Sequence, residues 1–227
     1  MQKKTDVTLL SRNQEGWRST KKVGSLVGDK EDVERRRKLS TVALNKLMNV
    51  WISDDKIKTN IKIKLYKSLV KSVLIYNCGT WALTRSEEER LDRFHRKQLK
   101  KVLNIKYPTK IANIALYKKS NERPLSLQIL EARWRLFGHI LRRDKEIPAN
   151  IAMDTYFTPS GHEKHKGRPP TSINTVLNRD LKHLPGFHKL GSKEDLLSLR
   201  SLAEDRDQWK DITQKIREAA EASRSDD

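Results

Sequence analysis

A single cysteine among 227 residues, Cys78, excludes an internal disulfide. It also argues against a zinc site, which needs several thiolate or imidazole ligands at regular spacing. His162 and His165 stand three apart with no second pair nearby and read as loop histidines; His95 and His139 read as residues packed within helices. No run of about eighteen apolar residues exists to span a membrane, and the N-terminus lacks the apolar region of a signal peptide. The expected compartment is therefore nucleus or cytoplasm, not the secretory route. Catalytic frames are missing as well. Serine, histidine and aspartate occur without a nucleophile motif, and the acidic pairs have structural readings: Asp54-Asp55 at a helix start, where the macrodipole favours anions, and Glu204-Asp205 on a mixed-charge helix face.

Acidic residues are scarce where basic ones collect. Forty-eight Lys and Arg against 29 Asp and Glu give a net charge of +19, with a pI near 10.0. Between Lys56 and Ser86, and again between Arg93 and Asn121, there is no acid at all. The tail from Lys193 reverses the balance, with ten acids against seven bases. A surface of this kind points to a polyanionic partner, most economically RNA or DNA. It gives no indication of a small-molecule substrate or a membrane.

Hydrophobic periodicity predicts a mainly α chain with one or two short N-terminal strands. Val7, Leu9 and Val23 are the strand-like positions, and Gly16, Gly24 and Gly28 break them. From Asp32 a helix is expected to bury Val33, Val42, Ala43, Leu47 and Trp51. A second, capped by Ser53 or Asp54, would bury the row Ile57, Ile61, Leu65, Leu69 and Val73. On it Lys56, Lys64, Lys67 and Lys71 project as one narrow basic stripe, with Lys58 and Lys62 outside it. Ser86-Glu-Glu-Glu89 reads as a capping box for a helix with apolar positions Leu91, Phe94, Leu99, Val102 and Leu103. Its opposite arc carries Arg90, Arg93, Arg96, Lys97, Lys100 and Lys101. Thr109 can cap a short helix reaching Tyr117, and Leu127, Leu130, Trp134, Phe137 and Leu141 mark the buried face of a strong helix from about Leu125 to Arg143. A basic Pro/Gly linker over 155–171 precedes helices at Thr171 or Ser172 and at Ser192, the last expected to run on through Trp209 and Ile216. Residues 219–227 read as a disordered tail. Trp51, Trp81, Trp134 and Trp209 read as core anchors.

Several landmarks in order resemble a known family. Leu65-Tyr-Lys-Ser-Leu-Val-Lys-Ser-Val-Leu-Ile-Tyr-Asn-Cys-Gly-Thr-Trp81, followed by Leu91-Asp-Arg-Phe-His-Arg-Lys-Gln-Leu-Lys-Lys-Val-Leu103, resembles the segment after the polymerase core of non-LTR retrotransposon reverse transcriptases. Lys4-Thr5 with Val7-Thr-Leu-Leu10 is similar to the strand after the catalytic Tyr-x-Asp-Asp hairpin, and Lys22-Val-Gly-Ser-Leu-Val27 to the primer-grip turn. Trp134-Arg-Leu-Phe-Gly-His-Ile-Leu-Arg142, Gly167-Arg-Pro169 and Ala203-Glu-Asp-Arg-Asp-Gln-Trp209 resemble the family's trailing Trp-Gly-His, Gly-Arg-Pro and Asp-Arg-x-x-Trp landmarks. Lys22, Asn77 and Gly79 depart from the usual pattern. No Tyr-x-Asp-Asp and no upstream metal-binding aspartate occur in the chain.

The resemblance implies a palm and primer-grip remnant over 1–30, a helical thumb-like domain over 31–108, a helical region over 109–154, the linker over 155–171 and C-terminal helices over 172–218. It further implies an RNA-directed DNA polymerase as parent enzyme, with magnesium bound only in the full-length protein and no cofactor in this chain. The partners would be RNA or DNA, as a template–primer duplex, and the upstream palm and fingers. Expected phosphate-binding residues are Lys56, Lys64, Lys67 and Lys71, then Arg93, Arg96, Lys97, Lys100 and Lys101, and finally Lys166 and Arg168. The last two lie in a segment that reads first as an ordinary turn and second as an AT-hook-like element inserting arginine into a narrow minor groove. Two other readings stay open: a free-standing basic RNA- or DNA-binding protein derived from such an element, and a scaffold whose acidic C-terminal helix docks onto the basic region.

Overall fold

The computed structural model describes residues 21–22, 24–54, 56–157, 171–182 and 190–225. The expected strand at Val7–Leu10 and the Lys166–Pro169 element lie outside them. The protein is mainly α. By its contacts the chain divides into two compact units, one built from residues up to Asn77 plus Arg96–Asn121, the other from Cys78–His95 plus Glu122 onward. The expected segments 31–108 and 109–154 thus each contribute to both.

The first unit opens with the antiparallel pair β1 (Lys21–Lys22) and β2 (Ser25–Leu26), Lys21 facing Leu26. Gly24 turns the chain at φ +82°, a backbone conformation costly for residues with a Cβ. Helix α1 (Asp29–Leu47) follows, with Asp29, Glu31 and Asp32 in its first turn, where the helix dipole favours anions. Its buried row is Asp32, Arg36, Ser40 and Leu44, not the expected apolar series; Val42 is exposed. The polar groups go inside because they hold the hairpin. Asp32 accepts the Leu26 N–H at 2.9 Å, while Arg36 donates to the Gly24 carbonyl at 2.6 Å and to Ser25 Oγ at 2.9 Å. The Arg36 guanidinium also lies 4.4 Å from the centre of the Tyr76 ring.

Helix α1 passes into a π-helical turn, Met48–Ile52. Ile52 is buried there, and Trp51, expected in the core, is 48% exposed. Helix α2 (Thr59–Leu65) starts after Lys58, without a side-chain cap, so neither Ser53 nor Asp54 caps it. It continues as a π-helical stretch, Tyr66–Lys71, into the short α3 (Ser72–Leu74). The buried row is Ile63, Tyr66, Val70 and Leu74, whereas Ile61 and Leu69 of the expected row are exposed. Tyr66 selects this face: its hydroxyl donates to Gln98 Oε1 at 2.9 Å, and Gln98 Nε2 reaches Ser40 Oγ at 3.4 Å. A buried hydroxyl left unpartnered would cost on the order of 1–3 kcal/mol. Leu99, Val102 and Leu116, the last on α5 (Asn113–Ser120), complete this core.

The second unit begins with a tight turn, Cys78–Thr80, lying against α6 (Leu125–Leu141). A Cβ at Gly79 would come within 2.9 Å of the Ala132 carbonyl oxygen, so only glycine permits this approach. Leu127, Leu130, Trp134, Phe137 and Leu141 are all buried, as expected. They pack with residues of α8 (Ile173–Leu181), α9 (Lys193–Glu204) and α10 (Arg206–Ser225). The expected single terminal helix is two helices. Asp205 breaks out of helical geometry and its carboxylate accepts the Asp207 and Gln208 N–H groups at 2.8 and 3.2 Å, capping α10. Helix α10 extends to Ser225 and buries Ala220, where a disordered tail was expected from 219. Likewise α7 (Pro148–Phe157) carries helix past the expected start of the linker.

A buried ionic cluster joins three elements of this unit. Arg133 donates to Asp180 at 2.6 Å and to Glu88 at 3.4 Å, and Arg179 donates to Glu88 at 2.5 Å. Asp180 also accepts the Trp134 indole N–H at 3.1 Å. Two cations face two carboxylates, which is the condition for carrying charge this deep.

Candidate nucleic-acid interface

Helix α4 (Arg85–Val102) is one continuous helix. Its capping box stands two residues before the expected one. Thr84 N–H and hydroxyl donate to the Glu87 carboxylate at 2.9 and 2.8 Å, and Glu87 N–H returns to Thr84 Oγ1 at 3.4 Å. The inner face holds Glu88, Leu91, Asp92, His95, Gln98, Leu99 and Val102, three of them apolar. Burial of the remaining four fixes the rotation of the helix, and the opposite arc is left to solvent. Arg90, Arg93, Lys97 and Lys101 are exposed, Arg96 and Lys100 half-buried. Arg96 reaches the Tyr117 hydroxyl at 3.5 Å.

The lysine stripe of α2 is less uniform than its projection. Lys56 and Lys64 are exposed, but Lys67 and Lys71 are half-buried, and Lys67 Nζ donates to the Asn121 carbonyl at 2.5 Å. Hydrogen bonds from i to i+5 over Tyr66–Lys71 change the rotation per residue, so a row drawn at α-helical pitch does not stay in line. Lys62 is buried. Lys166 and Arg168 lie outside the described residues.

A second basic surface went unforeseen. Helices α6 and α10 border a groove of about 530 Å³ lined by Arg123, Arg135, Arg142, Arg206, Lys210 and Arg217, with His139, Trp209, Thr213 and Gln214; Glu131 is the one acid in that lining. His139, expected to pack, is exposed here. The signal was available: at about 100° per residue Arg206, Lys210 and Arg217 fall within roughly 40° of one another. An acidic excess averaged along the segment concealed it.

Of the four tryptophans read as core anchors, Trp81, Trp134 and Trp209 are buried. Cys78 is buried too, and burial pushes its thiol up to about 12 against the pull of the Arg133 guanidinium. Among the described residues no three His, Cys, Asp or Glu side chains gather as a metal site would require, and no helix is long and apolar enough to cross a membrane. No family model, no curated protein and no solved structure matches this chain.

Proposed function

We propose that the chain holds a nucleic-acid duplex through Lys and Arg contacts to phosphate, as the thumb and trailing helical part of a non-LTR retrotransposon reverse transcriptase. The observation that carries this reading is the exposed row Arg90, Arg93, Lys97 and Lys101 on α4. It spans about 16 Å at 1.5 Å per residue, enough for several phosphates of one strand. No acid interrupts the sequence from Arg93 to Asn121.

Such a row suits a polymerase thumb. A surface that must grip every step of a copied strand cannot depend on base edges, and cation–phosphate contacts carry no sequence information. Lys64 extends the exposed charge on α2. In this reading Lys67 positions Asn121 rather than phosphate, and the hairpin at Lys21–Leu26, held by Asp32 and Arg36, stands at the place of the primer grip. The partners are RNA or DNA as a template–primer duplex, and the palm and fingers of the parent enzyme, in nucleus or cytoplasm. Two-metal polymerisation needs converging carboxylates. The described residues bring none together in that way, so no chemical step is assigned to them.

The reading is tested by the affinity of the purified chain for 20-base-pair RNA–DNA hybrids of unrelated sequence. Affinities equal within about twofold, and tighter than for the component single strands, are expected of a thumb. Differences above tenfold between hybrids would mean base readout and would contradict it.

A further inference from the structure

We propose that the groove between α6 and α10 is a separate phosphate-binding site that takes the backbone of a single nucleic-acid strand. The inference goes beyond the thumb reading, and it stands on the second unit alone.

The charge distribution of α10 is the first argument. The helix belongs to an acid-rich segment, yet its face toward the groove presents Arg206, Lys210 and Arg217. None of the α10 acids lines the groove: Asp211 pairs with Lys215 at 2.8 Å, and Glu218 neutralises Arg217 through Nη2 at 3.0 Å. Across the groove α6 contributes Arg135, with Arg142 just beyond its end. Glu131 answers Arg123 and Arg217, but Arg135, Arg206 and Lys210 add further cations that repel one another across the groove, a field that an anion between them would relieve.

The groove is also pre-organised. Glu131 accepts from Arg123 at 3.0 Å and from Arg217 at 3.2 Å, and Arg142 donates to the Ala203 carbonyl at 3.0 Å. These three hold the walls. Arg135, with 77% of its side chain exposed, and Arg206 and Lys210, both exposed, remain to meet a ligand.

Shape and chemistry then select the ligand. Arg206 and Lys210 stand about 6 Å apart along α10, with Arg135 across the groove, a spread that suits successive phosphates of a strand better than a single one. Trp209 offers no stacking face, being buried with its indole N–H committed to the Trp134 carbonyl at 2.9 Å, which leaves the His139 imidazole as the one exposed ring in the lining. With three exposed cations against one small ring, the site grips backbone before base. A nucleoside polyphosphate shares this chemistry and is the competing occupant that the test separates.

The test is binding of a fluorescent 20-nucleotide oligouridylate to the full chain and to Arg135→Gln/Arg206→Gln/Lys210→Gln, across a salt series. These exposed side chains support no fold contact beyond the long Arg135–Glu131 approach of 3.9 Å, and circular dichroism and melting should not change. Loss of three contacts should weaken binding on the order of 100-fold at 0.1 M salt and flatten the salt slope by about 2, at roughly 0.7 per contact for single strands. The control Lys145→Gln/Lys182→Gln/Lys193→Gln removes equal charge from exposed positions elsewhere in the unit and should cost less than threefold. Equal losses in the two variants would overturn the site in favour of diffuse attraction. Displacement of the oligonucleotide by micromolar tripolyphosphate would overturn the strand as its ligand. Failure of hybrid binding by α4, with the groove effect intact, would remove the thumb reading and leave this one standing.

Discussion

Trp209 donates its indole N–H to the main-chain carbonyl of Trp134 at 2.9 Å, with the two rings 5.6 Å apart, and this bond locks α10 onto α6 over Gly138. The three residues come from the segments Trp134–Arg142 and Ala203–Trp209, separate in sequence and joined in the core. A Cβ placed on Gly138 would stand 2.2 Å from Trp209 Nε1 and 2.6 Å from Cδ1.

Gly138→Ala should therefore destabilise the protein by about 1–3 kcal/mol, the usual cost of overpacking, or more if the indole bond breaks. Urea denaturation followed by tryptophan fluorescence measures it. A loss below about 0.5 kcal/mol would mean that the ring can move aside.

Asp180→Asn tests the buried ionic cluster. The substitution keeps the volume but leaves Arg133, 1% exposed, without its 2.6 Å carboxylate. Removing one partner of a buried pair costs about 3–5 kcal/mol. The melting temperature should fall by roughly 6–20 °C at about 2–4 °C per kcal/mol for a chain of this size, and a shift under 2 °C would show that Glu88 alone suffices.

Cys78 supplies a pH signature. Its ordinary value is 9.0 and burial raises it to about 12, so between those values the folded chain keeps a proton that the unfolded chain releases. Its contribution to stability is complete below pH 9 and is lost as pH rises toward 12. Cys78→Ala should lose less stability than the parent over that window. The native thiol should resist Ellman's reagent at pH 8 until the chain unfolds; prompt labelling would contradict its burial.

What the sequence disclosed follows from where apolar residues decide the packing. On α6 the row from Leu127 to Leu141 is apolar throughout and reads correctly at a period of 3.6. The exposed residues of the α4 arc were legible for another reason: its cations share one face, so the opposite face had to leave solvent although only three of its seven buried residues are apolar. On α1 and on the stretch from α2 to Lys71 the rule fails because polar groups are buried for their hydrogen bonds: Asp32 and Arg36 for the hairpin, Tyr66 for Gln98, which in turn reaches Ser40. The π-helical stretches add a phase shift that a fixed 100° projection does not follow. The groove was obscured by averaging charge along the chain, when helices segregate it by face. Asp205 looked like part of a charged face because its capping role depends on a break between two helices that both carry the same apolar period.

The central claim, that defined rows of cations rather than net charge hold nucleic acid, is tested most directly by Arg93→Gln/Lys97→Gln/Lys101→Gln on α4. The measurement is the affinity for a 20-base-pair RNA–DNA hybrid from 0.05 to 0.5 M salt, compared with Lys145→Gln/Lys182→Gln/Lys193→Gln. The account predicts that the α4 variant alone weakens binding at least tenfold for every hybrid and flattens the salt slope by about 2.7, at roughly 0.9 per phosphate contact. Equal losses from the two variants would contradict it and leave a basic protein without a defined binding surface on α4.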